Sequence, residues 1–243
     1  MDAPTRRVVL FTRPLEPDGQ EAAELKERGF DVLELPVLRF EPGPDAGRVR
    51  ERLRRGPPVE AVALTSRRAA EALAEELREA PLAELPRLAA VGDATAAPLR
   101  TLGLEVEVAP EASAQSLAEM LARSLAPESR VVFLKGNLAL RTLPDILRAC
   151  GLEVEEHEVY RTAEAAVDAA PVAELLERRE LAAAVFASPS AVGALRQALP
   201  PAAWDLLLVR PALAQGATTA RALKDAGFQE IVIAGPRSVA SCV

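Results

Sequence analysis

The sequence has few of the residues that bind metals. Its 243 residues include one histidine, His157, and two cysteines, Cys150 and Cys242, which form no Cys-x-x-Cys pair. A protein metal centre needs several such ligands close together. We therefore predict no metal site and two free thiols. His157 has no nearby serine or cysteine partner in the sequence, and we expect it on an exposed strand.

The common nucleotide and nucleophile motifs are also absent. No Gly-x-Gly-x-x-Gly follows a strand, and there is neither a Gly-x-x-x-x-Gly-Lys-Ser/Thr loop nor a Gly-x-Ser-x-Gly turn. These patterns bind dinucleotides and nucleoside triphosphates or present a serine nucleophile. Binding of a dinucleotide or a nucleoside triphosphate therefore has little support. A nucleotide-using transferase with an atypical phosphate loop stays open as an alternative.

Long apolar runs and excess positive charge are missing as well. No run reaches the roughly 18–20 residues that span a bilayer, and the N-terminus lacks the apolar core of a signal peptide. The formal charge of −7 disfavours a nucleic-acid surface. We expect a cytoplasmic protein that binds neither membrane nor nucleic acid. The preference for Arg over Lys and the 20 prolines are compatible with a thermophile or with a GC-rich genome.

Short apolar strands alternate with helical segments along most of the chain. "EAVALTS" precedes "RRAAEALAEELREA", "RLAAVG" precedes "ATAAPLRTLG", and "RVVFLKG" precedes "ALRTLPDILRACG". This alternation predicts parallel sheets with helices on both faces.

The sequence also repeats itself. A spacing of 11 residues separates two pairs of glycines, Gly92 with Gly103 and Gly216 with Gly227. Residues 13–29 match residues 135–151, so the N-terminal segment corresponds to the last unit of the middle of the chain. We therefore assign the N-terminal segment and the C-terminal third to one domain and the middle to another.

The predicted fold class is α/β, with two similar doubly wound parallel-sheet domains of flavodoxin-like topology. The extended segments between them are expected to form a two-stranded antiparallel β-ribbon that acts as a hinge. The predicted bounds are residues 1–36 plus 164–243 for the first domain, 44–154 for the second, and 37–43 with 155–163 for the ribbon.

Polar residues and glycines follow the predicted strands at their carboxyl ends, where doubly wound sheets bind ligands. Short hydroxyl groups and the free N–H groups of helix N-termini suit carboxylates. Each turn taken alone is better explained by helix capping, but similar turns in both copies favour a ligand cleft. The candidates are Thr12, Arg13, Thr65, Ser66, Gly92, Thr95, Lys135, Gly136, Asn137, Ser188, Ser190, Gly216, Thr218 and Thr219.

Tyr160 is the only tyrosine of the chain. It lies in the second ribbon segment, and its partner in the repeat is Leu38, so the architecture itself does not require a phenol. Two interpretations stay open. Tyr160 is an amphipathic residue on a strand surface, or it is a hydrogen-bond or proton donor that faces the cleft.

Taken together, "LTSRRAAEAL", "AAVGDATAAPLRTLG", "VFLKGNLALRTLPDILRACGLEVEEHEVYRT", "VFASPSAV" and "LAQGATTARALKDAGF" resemble the uroporphyrinogen-III synthase family over almost the whole chain. The resemblance implies a cofactor-free lyase of tetrapyrrole biosynthesis. It would cyclise hydroxymethylbilane, a linear tetrapyrrole with eight carboxylates, to uroporphyrinogen III with inversion of the last ring and loss of water. It also implies a monomer that receives the bilane in a transient hand-over from hydroxymethylbilane synthase.

The resemblance further implies roles for individual residues. Tyr160 would assist departure of the hydroxyl, and the two threonines of the Gly-x-x-Thr turns would face the cleft with the serine turns. Lys135 stands where relatives often have Arg, and Arg13 and Arg141 would pair with carboxylates. We expect the cleft to be locally neutral or basic. The alternative function is a non-catalytic, hinged two-domain binding protein for a small polycarboxylate.

Overall fold

The computed structural model describes residues 7–15 and 20–234. The chain forms two compact units, one built from the segments up to Arg39 and from Ala163 onward, the other from Phe40 to Thr162. Both passages of the chain between the units fall inside the predicted ribbon segments, 37–43 and 155–163.

The first unit contains five strands and five helices within these described residues. The strands are β1 Val8–Phe11, β2 Asp31–Glu34, β9 Leu181–Phe186, β10 Ala212–Ala214 and β11 Ile231–Ile233. The helices are α1 Gln20–Glu27, α7 Ala170–Glu177, α8 Pro189–Ala198, α9 Pro201–Leu208 and α10 Ala217–Asp225.

The second unit contains six strands and five helices. The strands are β3 Leu38–Pro42, which begins in the first unit, β4 Ala61–Leu64, β5 Arg87–Ala90, β6 Glu107–Val108, β7 Arg130–Gly136 and β8 Glu153–Glu164. The helices are α2 Val49–Arg55, α3 Arg67–Glu79, α4 Asp93–Arg100, α5 Ala114–Ser124 and α6 Thr142–Ala149.

The sheet of the first unit has the parallel order β11-β10-β9-β1-β2. Successive residues of a strand point to opposite faces, and helices cover both faces here. On β1, Val9 packs with Leu25 of α1, whereas Leu10 packs with Leu195 of α8 on the other side. The strand is therefore apolar at every position, as expected for a sheet buried on both faces.

The sheet of the second unit has the order β3-β8-β7-β4-β5-β6. Leu64 of β4 packs with Leu73 of α3 on one face, and Ala63 packs with Leu117 of α5 on the other. The order β8-β7-β4-β5-β6 in this sheet corresponds to the order β2-β1-β9-β10-β11 in the sheet of the first unit. β3 is the additional strand. The predicted pair of doubly wound domains is confirmed.

The ribbon consists of β3 and β8, and its strands are antiparallel. The N–H of Ala165 donates to the carbonyl of Val37 (2.9 Å), and the N–H of Gly43 donates to the carbonyl of Val159 (3.1 Å). Residue numbers thus fall along one strand as they rise along the other. β8 also pairs in parallel with β7, so one strand serves both the ribbon and the sheet.

Gly43 lies directly against the backbone of β8. A Cβ at this position would overlap the carbonyl oxygen of Glu158 and lie 2.9 Å from the amide nitrogen of Tyr160. Because these atoms belong to a paired strand, they cannot move aside without breaking the pairing. Glycine is therefore required here for close approach.

We expect Gly43→Ala to lower the free energy of unfolding by about 1–3 kcal/mol, since it forces β3 away from β8. The matched control is Gly193→Ala in α8, where an added Cβ meets nothing within 4 Å. That change should stabilise the helix by about 0.5–1 kcal/mol. Urea unfolding of both variants measures the difference, and equal stabilities would contradict the close approach.

Candidate functional site

Two of the predicted serines cap helices. Oγ of Ser66 accepts a hydrogen bond from the N–H of Ala69 in α3 (3.2 Å), and Oγ of Ser188 accepts one from Ala191 in α8 (3.3 Å). These contacts follow the capping alternative for both residues. The neighbouring Thr65 and Ser190 are half-buried at the same carboxyl ends of β4 and β9.

The Gly-x-x-Thr turns are built differently. Gly92 precedes α4 and Gly216 precedes α10, and neither helix has a side-chain cap. The first N–H groups of a helix have no intrahelical partners, so an uncapped start leaves donors available to an anion. These two helix starts, at the ends of the corresponding strands β5 and β10, therefore provide the same donor arrangement in each unit.

The threonines of these turns lie inward. Thr95 is 7% exposed and Thr219 is 2% exposed, whereas Thr218 is exposed. Within the described ranges, no hydrogen bond involves the hydroxyl of Thr95 or Thr219. Neither oxygen is fully enclosed and unpartnered. Both threonines follow the ends of β5 and β10, and their burial was not predicted.

Thr12 stabilises the sheet. Its hydroxyl and its N–H both donate to the carbonyl of Val185, at 2.9 and 3.1 Å, and join the end of β1 to β9. The adjacent Arg13 pairs with Glu21 at 2.7 Å and donates to the carbonyl of Pro14. The guanidinium of Arg13 therefore already has hydrogen-bond acceptors within the protein.

Lys135 and Arg141 also have carboxylate partners. Nζ of Lys135 lies 2.6 Å from Glu156 of β8, and Arg148 lies 3.0 Å from the same carboxylate. Arg141, at the start of α6, pairs with Asp145 on the surface at 3.0 Å. A ligand carboxylate would have to compete with these protein carboxylates for either cation.

Asn137 and Gly136 organise the junction of β7 and β8. The side-chain amide of Asn137 donates to the carbonyl of Thr162 (3.1 Å) and accepts from its N–H (2.8 Å). A Cβ on Gly136 would overlap the ring of Tyr160 and lie 2.8 Å from its hydroxyl oxygen. The phenol end of Tyr160 thus lies against Gly136, at the carboxyl end of β7.

Tyr160 lines a groove of about 340 Å³ within the second unit. Its ring centroid is 6.4 Å from that of Phe40, and no hydrogen bond in the described part of the chain involves its hydroxyl. The groove contains one basic residue, Arg68, and five glutamates: Glu41, Glu71, Glu75, Glu76 and Glu79. This groove is acidic because one face of α3 contributes most of its acidic side chains. The expectation of a neutral or basic cleft stays a prediction.

The sequence contained a signal for this acidic face. Glu71, Glu75 and Glu79 are spaced by four residues, which places them on one side of a helix. Glu76 is 9% exposed and accepts hydrogen bonds from the N–H groups of Gly47 (3.0 Å) and Arg50 (2.8 Å). Its carboxylate therefore supports the start of α2.

Glutamates on β8 form a second ion cluster that sequence analysis did not predict. Glu155 accepts two hydrogen bonds from Arg52, both at 2.7 Å. His157 lies 3.6 Å from Glu155 and has 19% of its side chain exposed, so it is not the exposed residue expected. The bonds from Arg52 lower the pKa of Glu155, and the bond from Lys135, followed by that from Arg148, lowers the pKa of Glu156.

These pKa shifts predict an acid-sensitive contribution to stability. A carboxyl whose pKa is lowered by folding stabilises the protein above its unfolded pKa of about 4.3, and this contribution is lost as the pH falls through the folded pKa. We expect Glu156→Gln to lower the free energy of unfolding by about 1 kcal/mol at neutral pH. Below about pH 4 the difference should shrink.

Urea unfolding at several pH values measures this contribution. Glu177→Gln is the matched control, since Glu177 is an exposed carboxylate of α7 outside the ion pairs of the described chain. A Glu156→Gln variant with the same pH dependence as the parent protein would contradict the proposed contribution of the β8 cluster.

The fold and the turns define a two-unit α/β protein with uncapped helix starts at the carboxyl ends of β5 and β10. The family model described as "Uroporphyrinogen-III synthase HemD" matches residues 19–243. The chain therefore belongs to the uroporphyrinogen-III synthase family, as the resemblance in its motifs predicts.

Solved structures agree with this assignment. A mutant uroporphyrinogen III synthase from the extremely thermophilic bacterium Thermus thermophilus is 25% identical, with a TM-score of 0.61, and the match covers 95% of this chain and 94% of that one. Uroporphyrinogen-III synthetase from Helicobacter pylori is 17% identical, with a TM-score of 0.57 and coverage of 97% and 96%, and supports the fold alone. No curated protein sequence gave a match.

Family membership favours an enzyme of tetrapyrrole synthesis over the non-catalytic binding protein. Among residues 7–15 and 20–234, no helix has both the length and the apolar character needed to cross a membrane. The same residues contain no group of three or more His, Cys, Asp or Glu side chains that could hold a metal ion. Cys150 is a free, exposed thiol, and Cys242 lies outside the described residues.

Proposed function

We propose that this protein is a lyase that converts hydroxymethylbilane to uroporphyrinogen III and water. The observation that carries the proposal is the family match over residues 19–243. Transfer of the bilane from hydroxymethylbilane synthase, a monomeric state and a cytoplasmic location stay predictions.

The proposed reaction begins with loss of the hydroxyl from the first ring. A proton joins the departing oxygen and the pyrrole N–H gives up a proton, so that water and an azafulvene form. The substituted α-carbon of the last ring then attacks the exocyclic methylene and gives a spiro pyrrolenine. The bond from this α-carbon to its original methylene bridge then breaks. The free α-carbon of the last ring bonds to that methylene and loses its proton, so the last ring is inverted. The electron-rich pyrroles supply the electrons, and the protein chiefly orients the chain ends.

Tyr160 is the proposed donor to the departing hydroxyl. Its phenol end lies against Gly136 at the carboxyl end of β7, where a doubly wound sheet presents ligand-binding groups. Its hydroxyl has no hydrogen-bond partner in the described part of the chain. A phenol that makes no bond within the protein is available to donate one to a substrate oxygen.

The substrate carboxylates are assigned to the uncapped starts of α4 and α10. The free N–H groups there suit anions without bringing a compensating cation. The nearby hydroxyls of Thr95 and Thr219 are not used in hydrogen bonds within the described residues and can add a donor. Lys135, Arg13 and Arg141 are already paired, which makes them weaker candidates.

The first test is incubation of the protein with hydroxymethylbilane, without added metal or nucleotide. We expect uroporphyrinogen III as the main product and Tyr160→Phe to lower kcat by about 100-fold or more, because a positioned proton donor contributes about 10²–10⁴-fold. Oxidation of the products and chromatography of the isomers measure both. Formation of the type I isomer alone by the parent protein would refute the function, and full activity of Tyr160→Phe would refute the donor role.

The second test concerns the Gly-x-x-Thr turn. Thr95→Val keeps the side-chain shape and removes only the hydroxyl, so we expect KM to rise about tenfold, as for loss of one hydrogen bond to a charged group. Thr101→Val is the matched control at the other end of α4, where the hydroxyl donates to the carbonyl of Pro98. An unchanged KM in Thr95→Val would contradict the assignment of a carboxylate to this hydroxyl.

A further inference from the structure

Phe40 is unlike the other phenylalanines of this protein. Five of the six are buried, whereas Phe40 has 46% of its surface exposed on β3. An exposed aromatic ring in a chain with only 3% aromatic residues calls for an explanation in terms of its contacts. Its ring contacts are with Arg68 and Tyr160.

The guanidinium of Arg68 lies on the ring of Phe40. Its central carbon is 3.3 Å from the ring centroid, which is close for a cation–π contact. No ion pair within the described ranges includes Arg68, so the ring is the partner that orients this cation. Arg68 belongs to the first turn of α3, which is anchored by the Ser66 cap. The stack therefore connects β3 to a fixed helix start.

The ring of Tyr160 has Gly136 and Phe40 as neighbours. Gly136 contacts the phenol end on one side. The ring of Phe40 stands at 6.4 Å between centroids with an interplanar angle of 56°, inside the range of favourable tilted aromatic pairs. Tyr160 also packs against the buried cluster of the second unit. Phe40 is its aromatic neighbour and lines the same groove.

We propose that Phe40, held by the guanidinium of Arg68, is a positioning residue that fixes the phenol of Tyr160 at the carboxyl end of β7. The inference rests on the proposed function of Tyr160 as the donor to the departing hydroxyl. Phe40 itself needs no contact with the substrate. Its effect is to keep the phenol oxygen in one place, and misplacement of a donor by about 1 Å costs up to about 100-fold in rate.

The single tyrosine of the chain allows the position of Tyr160 to be measured without activity. Protein labelled with ¹³C at the tyrosine Cζ gives one phenol resonance, which reports on this ring alone. We expect Phe40→Ala and Arg68→Gln to shift or broaden that resonance. Both should lower kcat about tenfold and leave KM within about twofold.

Two further variants separate positioning from loss of structure. Phe40→Trp keeps an aromatic face for Arg68 and should restore both kcat and the resonance, whereas Phe40→Leu keeps apolar packing only and should restore neither fully. Arg7→Gln is the matched control, since it removes a similar stack on Phe30, at 4.2 Å, in the first unit. It should leave kcat and the Tyr160 resonance unchanged.

The outcomes test the proposed function and the positioning role of Phe40 separately. If the parent protein forms no type III isomer, the proposed function fails, and the resonance alone then decides whether Phe40 positions Tyr160. If the parent is active but Phe40→Ala leaves the resonance unchanged, the positioning role is overturned. This holds even if kcat falls, because the ring would then act on the substrate directly.

Discussion

The arrangement around Tyr160 depends on the backbone pairing of β8 with two different strands. On one side β8 runs parallel to β7, and on the other it runs antiparallel to β3. Gly43 permits the second pairing because a side chain there would overlap the β8 backbone. The double pairing brings Gly136 from β7 and Phe40 from β3 to opposite sides of one phenol. A slip of one residue would turn Tyr160 to the other face of the sheet.

The helix starts at the sheet edges divide into two kinds with different consequences. Ser66 and Ser188 use their own hydroxyls to satisfy the first turns of α3 and α8. Gly92 and Gly216 leave the first turns of α4 and α10 uncapped, an arrangement that lowers helix stability. Its repetition at corresponding strands of both units is consistent with a ligand that supplies the missing acceptors. The serine turns thus contribute rigidity, and the glycine turns contribute donors.

Local patterns in the sequence predict the strands, the helices and the turns between them. The alternation of strands and helices predicts both sheets, and the 11-residue glycine spacing predicts the matching starts of α4 and α10. The pairing of Lys135 with Glu156 and the stack of Arg68 on Phe40 could not be predicted in this way. Their partners are 21 and 28 residues apart and meet only through strand order. The acidic face of α3 is an intermediate case. The four-residue spacing of its glutamates is visible in the sequence, but the groove that they line is not.

The net charge of −7 does not by itself oppose the proposed substrate with its many carboxylates. Exposed charges more than about 8–10 Å away are largely screened at physiological salt, so local donors dominate. The cations first considered as carboxylate partners are held by Glu21, Glu156 and Asp145, and each would have to exchange one carboxylate for another. Backbone N–H groups at an uncapped helix start need no such exchange. Binding through them favours shape and orientation over total charge, which is what the proposed cyclisation of a flexible linear substrate requires.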